Sequence, residues 1–338
     1  MSRGGGDRPR TPQMRAGSVR ARSSQIKPSQ DAPLFVVLNL GSGKHEAANV
    51  RHEIETALSG AERRFSLHEV EQSSELATVA ALAVDQARVS GGIVVAAGGD
   101  GTINTVAQAT LGTGCFFGVL PLGTFNYFSR THGIPSDIPE ACRVLTQCDA
   151  VEVQVGKIND RVFLVNASIG LYPRLLEERE EAKQKLGRSR LVAFVAALRT
   201  LFTFHSSLVL DIEPTLGRRR VVTQTLFVGN NRLQLERVGI AESEQVEQHK
   251  LAAVVVPPLG PLARVGLFLR ALVGRLGDAS QVTTFAFERL LVRSRFHRRS
   301  LKVAMDGEVE RMRAPLVFRV AEHPLLLLRP LERRKDPG

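Results

Sequence analysis

Two short acidic motifs carry the residue types that could do chemistry. Gly98-Gly99-Asp100-Gly101-Thr102 directly follows the apolar run Gly92–Ala97 and leads into a stretch with helical spacing. Glycines let a backbone approach a ligand closely and reach positive φ, and free N–H groups at a helix start favour phosphate oxygens. A carboxylate among them cannot cradle phosphate; it would hold Mg²⁺ or position an acceptor hydroxyl. The same five residues also suit a tight strand-to-helix turn with Asp100 as its N-cap. The second motif, Asp306-Gly307-Glu308, sits in a basic surrounding. From Arg289 to Arg313 eight Arg or Lys stand against Asp306, Glu308 and Glu310. Asp-Gly is also a favoured pair for a two-residue hairpin turn, which is the structural alternative for Asp306.

The elements around these motifs change character near residue 150. Before it, apolar runs (Leu34–Leu40, Gly92–Ala97, Phe116–Pro121) and a strand-like stretch at Phe65–Val70 alternate with helical spacing through Val50, Ile54, Ala57 and Leu58, from Ser74 to Arg88, and from Ile103 to Thr110. That pattern predicts a parallel sheet covered on both faces, with ligands held by the glycine turns at the strand C-termini. After it, short alternating stretches predict an antiparallel β domain: Val151–Ile158, Arg161–Ala167, Ser207–Ile212, Val221–Gly229, Lys250–Val256, Gln281–Phe287, Leu290–Ser294 and Leu316–Val320. Leu171–Phe204 and Pro261–Leu276 interrupt it, and Leu325–Leu328 is expected to return to the first domain.

The chain has 338 residues and a formal charge of +11, with 43% hydrophobic residues, an ordinary globular composition. Residues 1–30 hold seven basic residues against Asp7 and almost nothing to bury, and read as a disordered arm: a solvated tail, or an attraction for anionic lipid headgroups or nucleic acid. Two Tyr and no Trp argue against nucleic acid, because there is little to stack on bases. Cys115, Cys142 and Cys148 are odd in number and lack C-x-x-C spacing, which predicts buried cytosolic thiols and neither disulfides nor zinc. No apolar run reaches the ~18 residues of a membrane span, and no apolar segment follows the N-terminal arginines as in a secretory signal. The expectation is a cytoplasmic protein, soluble or peripheral on a membrane. Leu171–Phe204 and Pro261–Leu276 both interleave arginines with wide apolar faces; they either pack on the β domain or lie in an anionic interface.

The motifs together resemble the catalytic domain of the diacylglycerol kinase/sphingosine kinase family. Gly98–Thr102 with Ile103-Asn104 is similar to its nucleotide loop, of which NAD kinases and 6-phosphofructokinases carry related versions. Pro121-Leu122-Gly123-Thr124-Phe125-Asn126-Tyr127-Phe128-Ser129-Arg130 resembles its P-x-G-T-x-N-D-F-A-R segment. Asn39-Leu40-Gly41-Ser42-Gly43 resembles N-P-x-x-G, Asn166-Ala167-Ser168-Ile169-Gly170 resembles N-x-x-x-G, and Asp306-Gly307-Glu308 resembles the late D-G-E. The likeness runs in order from about residue 34 to 330.

That resemblance implies a doubly wound, Rossmann-like nucleotide domain of the NAD kinase/phosphofructokinase type at 31–150. It further implies an antiparallel β-sandwich acceptor domain at 151–322 and a return strand and tail at 323–338. It implies an ATP site lined by Asn39, Leu40, Gly41, Ser42, Gly43, Ser73 (with Ser74 as rival), Gly98, Gly99, Asp100, Gly101, Thr102, Ile103, Asn104, Thr124 and Glu308. Asp100 and Asp306 would be the catalytic carboxylates, Asp306 as general base toward a lipid hydroxyl. Asp100 and Glu308 would hold Mg²⁺ through the nucleotide, and Asn126 and Arg130 would meet the substrate. Arg298, Arg299 and Lys302, if they face the cleft, would keep Asp306 ionised and attract ATP.

The implied activity is ATP-dependent phosphorylation of diacylglycerol or a sphingoid-like lipid at a membrane surface. A kinase of a soluble metabolite such as NAD and a non-catalytic nucleotide or lipid sensor are the alternatives. Two departures stand out: Tyr127 replaces a family Asp, and Gln248-His249-Lys250-Leu251-Ala252 replaces D-G-x-L-D. Both acids serve a second, structural Mg²⁺ site in relatives, so that site is expected to be absent, with Tyr127 and Lys250 in its place.

Overall fold

The computed structural model describes residues 27–40, 44–147, 149–186, 207–214, 217, 219–246, 248–294 and 300–330. Most of the basic arm, Gly41-Ser42-Gly43, Cys148, residues 187–206, Arg298 and Arg299 lie outside them.

The first part of the chain runs β1 (Leu34–Leu38), α1 (Lys44–Gly60), β2 (Phe65–Glu69), α2 (Leu76–Ser90), β3 (Ile93–Gly98), α3 (Asp100–Thr110), β4 (Phe116–Pro121), α4 (Tyr127–Thr131), α5 (Ile138–Thr146) and β5 (Asp149–Val153). The strands form a sheet in the order β2-β1-β3-β4, extended by the last strand of the chain and then by β5. The pairs among β1 to β4 are parallel. β1 and β3 are buried along their whole length because helices cover both faces. Phe35, Val37, Val94 and Ala96 point to α2 and α3, meeting Ala80, Ala83, Val84, Ala87, Ile103 and Val106. Their neighbours Leu34, Val36, Val95 and Ala97 point the other way, to Ile54 and Leu58 of α1 and Ala141, Cys142 and Leu145 of α5. Period-2 alternation thus places successive side chains in two different cores.

The chain then continues through β6 (Gly156–Ile158), β7 (Arg161–Phe163), β8 (Asn166–Gly170), α6 (Leu171–Leu186), β9 (Leu208–Pro214), β10 (Arg219–Thr223), β11 (Thr225–Gly229), α7 (Arg232–Arg237) and α8 (Ser243–Val246). β12 (Leu251–Val256), α9 (Pro261–Leu272), β13 (Thr283–Phe287), β14 (Arg289–Ser294), β15 (Ser300–Met305), β16 (Glu308–Arg313), β17 (Leu316–Val320) and β18 (Leu325–Arg329) follow. Two six-stranded sheets result, ordered β10-β9-β14-β17-β6-β7 and β13-β12-β11-β8-β15-β16, with antiparallel pairing throughout. One hydrophobic cluster joins them, with Leu210, Leu290 and Phe318 from the first facing Ile169, Leu226 and Val303 from the second. β18 returns to the first sheet, parallel to β4 and antiparallel to β5.

Four stretches differ from the sequence reading. Arg161–Ala167 is two strands, β7 and β8, which belong to different antiparallel sheets and are separated by Leu164 and Val165. Val151–Ile158 is two strands: β5 pairs in the first sheet and β6 in the second, the chain passing between them at Gln154 and Val155. Val221–Gly229 divides at Gln224 in the same way, β10 and β11 belonging to different sheets. An apolar alternation that runs on through a sheet change gives no local sign of it. β15 and β16, which alternation does not mark, form the hairpin that carries Asp306; charged Lys302, Glu308, Glu310, Arg311 and Arg313 mask its pattern.

Candidate active site

Three loops leave the C-terminal ends of β1, β3 and β4 side by side. Asn39, just past β1, donates its N–H to Ala97 O (2.9 Å) and its Nδ2 to Thr102 Oγ1 (3.0 Å), tying the first loop to the second. Leu40 packs on the α1/α5 core. In the β3 loop none of Gly98, Gly99 and Gly101 has positive φ; the glycines serve close approach instead. A Cβ on Gly123 in the β4 loop would come within 2.8 Å of Gly99 Cα, so the two loops touch backbone to backbone. Helix α3 starts one residue earlier than an Asp100 cap requires: Gly99 is its N-cap, and no side chain caps this end. Its first N–H groups are therefore without a side-chain acceptor, the condition under which a helix start takes an anion.

Asp100 instead reaches across to the β4 loop, where its Oδ2 accepts the Asn126 N–H at 3.0 Å. Asn126 is left-handed (φ 47°), and the contact fixes the entry to α4. Asp100 Oδ1 is buried with no hydrogen-bond partner. Burial pushes the Asp100 carboxyl pKa up; the Asn126 amide opposes this, and the Asp306 carboxylate adds to it. Thr102 and Ile103 are buried, so only their backbone is available to a ligand. Asn126 is buried too, its Nδ2 held by Gly123 O at 2.7 Å, while Thr124, Arg130 and Ser73 are exposed.

Opposite these loops stands the β15–β16 turn. Asp306 (φ 48°) and Gly307 (φ 98°) both have positive φ, as a two-residue turn between Met305 and Glu308 demands, and this explains the Asp-Gly pair. Turn and candidate site coincide. The Asp306 carboxylate faces inward: Oδ2 accepts from Asn104 Nδ2 (2.7 Å) and the Leu164 N–H (2.7 Å), Oδ1 from the Val165 (2.8 Å) and Asn166 (2.9 Å) N–H groups. Burial pushes its pKa up while these four donors pull it down, and the upward push is larger. Asn104, on α3, also donates to Val162 O at 3.0 Å, so a single amide spans the two halves of the molecule.

Gly101, Asn104, Arg161, Met305, Asp306, Glu308, Val309 and Glu310 line one cleft. Glu308 lies directly over Gly101, where a Cβ would collide with its side chain. Its pKa is pushed up by withdrawal from water, with Arg161 opposing and Asp306 and Glu310 reinforcing. Arg161, 3.1 Å from Glu310 Oε2, is the cation of this cleft among the described residues. Lys302 is not: its Nζ is 2.6 Å from Glu177 Oε1 on α6. Sequence reasoning missed Arg161 and the Leu164–Asn166 amides. Backbone donors leave no mark in side-chain identity, although Asn166 itself stands in a quoted motif.

Among the described residues no cluster of three or more His, Cys, Asp or Glu could hold a metal alone. The buried, unpartnered Asp100 Oδ1 and the nearby Glu308 do fit an ion that keeps waters and substrate phosphates as its other ligands, as Mg²⁺ prefers. Of the two departures from the family pattern, the Tyr127 ring stacks on Phe125 (6.0 Å, 4°), and Lys250 O accepts from Gln154 Nε2 at 3.0 Å.

This is an α/β domain with paired glycine loops, closed over by an acidic turn from an antiparallel β domain. Residues 33–158 match the family model described as the diacylglycerol kinase catalytic domain. Through that segment, somewhat over a third of its length, the chain is similar to diacylglycerol kinase-like lipid kinases. It is 33% identical over 132 residues to the uncharacterized protein sll0036 of Synechocystis, covering 38% of this chain and 30% of that one. It is 36% identical over 111 residues to the probable lipid kinase YegS of Salmonella newport, covering 31% and 37%. The match thus spans about a third of these relatives' length. Solved structures share the fold over nearly the whole chain. A diacylglycerol kinase from Bacillus anthracis aligns with a TM-score of 0.63 at 15% identity, covering 89% of this chain and 97% of that one. A second Bacillus anthracis structure reaches 0.66 at 19% identity, covering 89% and 98%.

Proposed function

We propose that the protein is a Mg²⁺- and ATP-dependent lipid kinase, transferring the γ-phosphoryl group to the hydroxyl of diacylglycerol or a sphingoid-like lipid. One observation carries this reading: the Asp306 carboxylate of the β domain lies 2.7 Å from Asn104, on the very helix that begins with the glycine loop. A base for a hydroxyl and a seat for phosphates thus face one another across one cleft. In this reading the first sheet is a Rossmann-like nucleotide lobe and the two antiparallel sheets are a sandwich-like acceptor lobe.

Phosphoryl transfer needs positioning and charge neutralisation more than covalent help from the protein. The uncapped start of α3 and the Asn39 and Gly123 loops suit the triphosphate; Asp100 and Glu308 would hold Mg²⁺, which would supply positive charge to neutralise it. Asp306 takes the proton of the acceptor hydroxyl, and Arg161 adds positive charge on the same wall.

The lipid must be met at a membrane surface. No helix among the described residues is long and apolar enough to cross a bilayer. Helix α9 is held by Val265 and Phe268 on Leu171 and Leu175, and leaves Leu262, Leu269, Leu272 and Val273 between 50 and 80% exposed beside Arg270. An apolar helix face edged by arginine suits an anionic interface. The test is transfer of radiolabel from ATP to a panel of lipids in mixed micelles. Mg²⁺-dependent label in the lipid phase supports the reading. Label only in water-soluble alcohols supports a metabolite kinase, and ATP binding without any transfer supports a sensor.

A further inference from the structure

The Asp306 carboxylate is full. An ionised carboxylate offers about four lone-pair sites, and here four donors occupy them: Asn104 Nδ2 and the Leu164 N–H on Oδ2, the Val165 and Asn166 N–H groups on Oδ1. A general base must come within about 2.6–3.2 Å of the proton it removes, with a lone pair aimed at it. In this arrangement no such lone pair is free.

Three of the four donors are consecutive backbone amides, fixed by the chain between β7 and β8. Asn166 O also accepts the Asp306 N–H at 3.0 Å, so this side of the turn is bonded in both directions. Asn104 is different. It is the one side-chain donor of the four, it lines the cleft together with Asp306, and its amide keeps a second acceptor in Val162 O at 3.0 Å. It alone can leave Oδ2 by a side-chain rotation and still have a hydrogen bond.

The geometry points to Asn104 as a positioning residue that guards the base: the acceptor hydroxyl reaches Asp306 Oδ2 by displacing the Asn104 amide. This rests on the kinase reading above. Before an acceptor arrives, Asn104 holds the carboxylate's direction and blocks water from it. When the hydroxyl takes its place, the hydroxyl oxygen bonds to the γ-phosphorus and its proton passes to Oδ2. The bond from that phosphorus to the β,γ-bridging oxygen breaks, and ADP leaves with those electrons. The Asn104 position, placed at the nucleotide by sequence resemblance, then governs the acceptor instead.

Competition gives a signature that a structural role lacks. Without the Asn104 donor the hydroxyl need displace only water, and a hydrogen bond of ordinary net strength corresponds to a change of roughly threefold to tenfold. Asn104→Ala is therefore expected to lower the KM for a short-chain diacylglycerol by about threefold to tenfold while the KM for ATP moves less than twofold. Asn104→Gln, which keeps an amide on a longer arm, is expected to return the acceptor KM toward the wild-type value. Should Asn104→Ala fail to fold, Asn104→Ser carries the same expectation. An acceptor KM that is unchanged or raised in a folded variant, with wild type active, overturns this inference and leaves the kinase reading standing. A wild-type protein that transfers no phosphate to any lipid overturns both.

Discussion

Substituting Asp306 by Asn removes one charge and exchanges one acceptor oxygen for an NH₂ donor. Whichever way the new amide turns, its nitrogen meets two donors: Asn104 Nδ2 with the Leu164 N–H, or the Val165 and Asn166 N–H groups. Two accepted hydrogen bonds to a charged group are lost, each worth about 1.5–3 kcal/mol, and buried donors are left facing one another. Relief from burying a charge offsets part of this, which leaves a net cost of about 2–4 kcal/mol. For domains of this size each kcal/mol lowers the melting temperature by roughly 2–4 °C, so Asp306→Asn is expected to melt about 5–15 °C below wild type. Differential scanning calorimetry reads this directly, and phosphoryl transfer, measured well below the new transition, is expected to fall by orders of magnitude. The sequence resemblance gives Asp306 a catalytic role; the donor cage makes its substitution a structural lesion as well. A variant that melts within 1–2 °C of wild type would refute the cage, and near-normal turnover would remove Asp306 as the base.

Three further outcomes follow from the same geometry. Asp100→Ala removes both the acceptor for the Asn126 N–H and the unpartnered oxygen, so the apparent affinity for Mg-ATP should drop at least tenfold with an altered Mg²⁺ dependence; an unchanged metal titration contradicts its assignment. His132 is held at a pKa of about 4 by burial and then by Arg329, below its ordinary value of 6.5. Because the unfolded chain then binds the extra proton, stability is full above about pH 6.5 and is lost as pH falls toward 4, by up to about 3 kcal/mol. Urea titrations of wild type and His132→Gln check this: the wild-type midpoint should fall more steeply over that window, and parallel curves would exclude His132. Burial pushes the Cys142 thiol up to about 12, so it should resist alkylation at pH 8 in the folded protein and react once unfolded; rapid native labelling at Cys142, located by mass spectrometry, would contradict its packing.

The alternating β and α pattern was legible because buried parallel strands read as unbroken apolar runs, and β1, β3 and β4 follow Leu34–Leu40, Gly92–Ala97 and Phe116–Pro121 closely. The return of Leu325–Leu328 to the first sheet was legible in the same way, as a third of a dozen apolar residues packed into one short closing strand cannot stay exposed. Strand changes at Gln154 and Gln224 were not, since neither side of the switch alters the alternation. At the site, Asp100 and Asp306 were readable as acids flanked by glycine. What each acid bonds to was not: Asp100 holds a loop through the Asn126 N–H, and Asp306 is held by three amides whose side chains are Leu, Val and Asn. Lys302 shows the converse limit, because proximity in sequence to Asp306 placed it near the base while its ion pair with Glu177 holds it elsewhere.

The most direct measurement is a crystal structure of the full chain with Mg²⁺ and a non-hydrolysable ATP analogue. The account predicts the triphosphate at the start of α3, the metal on Asp100, and the terminal phosphate on the side of the cleft that carries Asp306. A nucleotide seated away from the Gly98–Thr102 loop, or a terminal phosphate with the Asp306 turn directed away from it, contradicts the account.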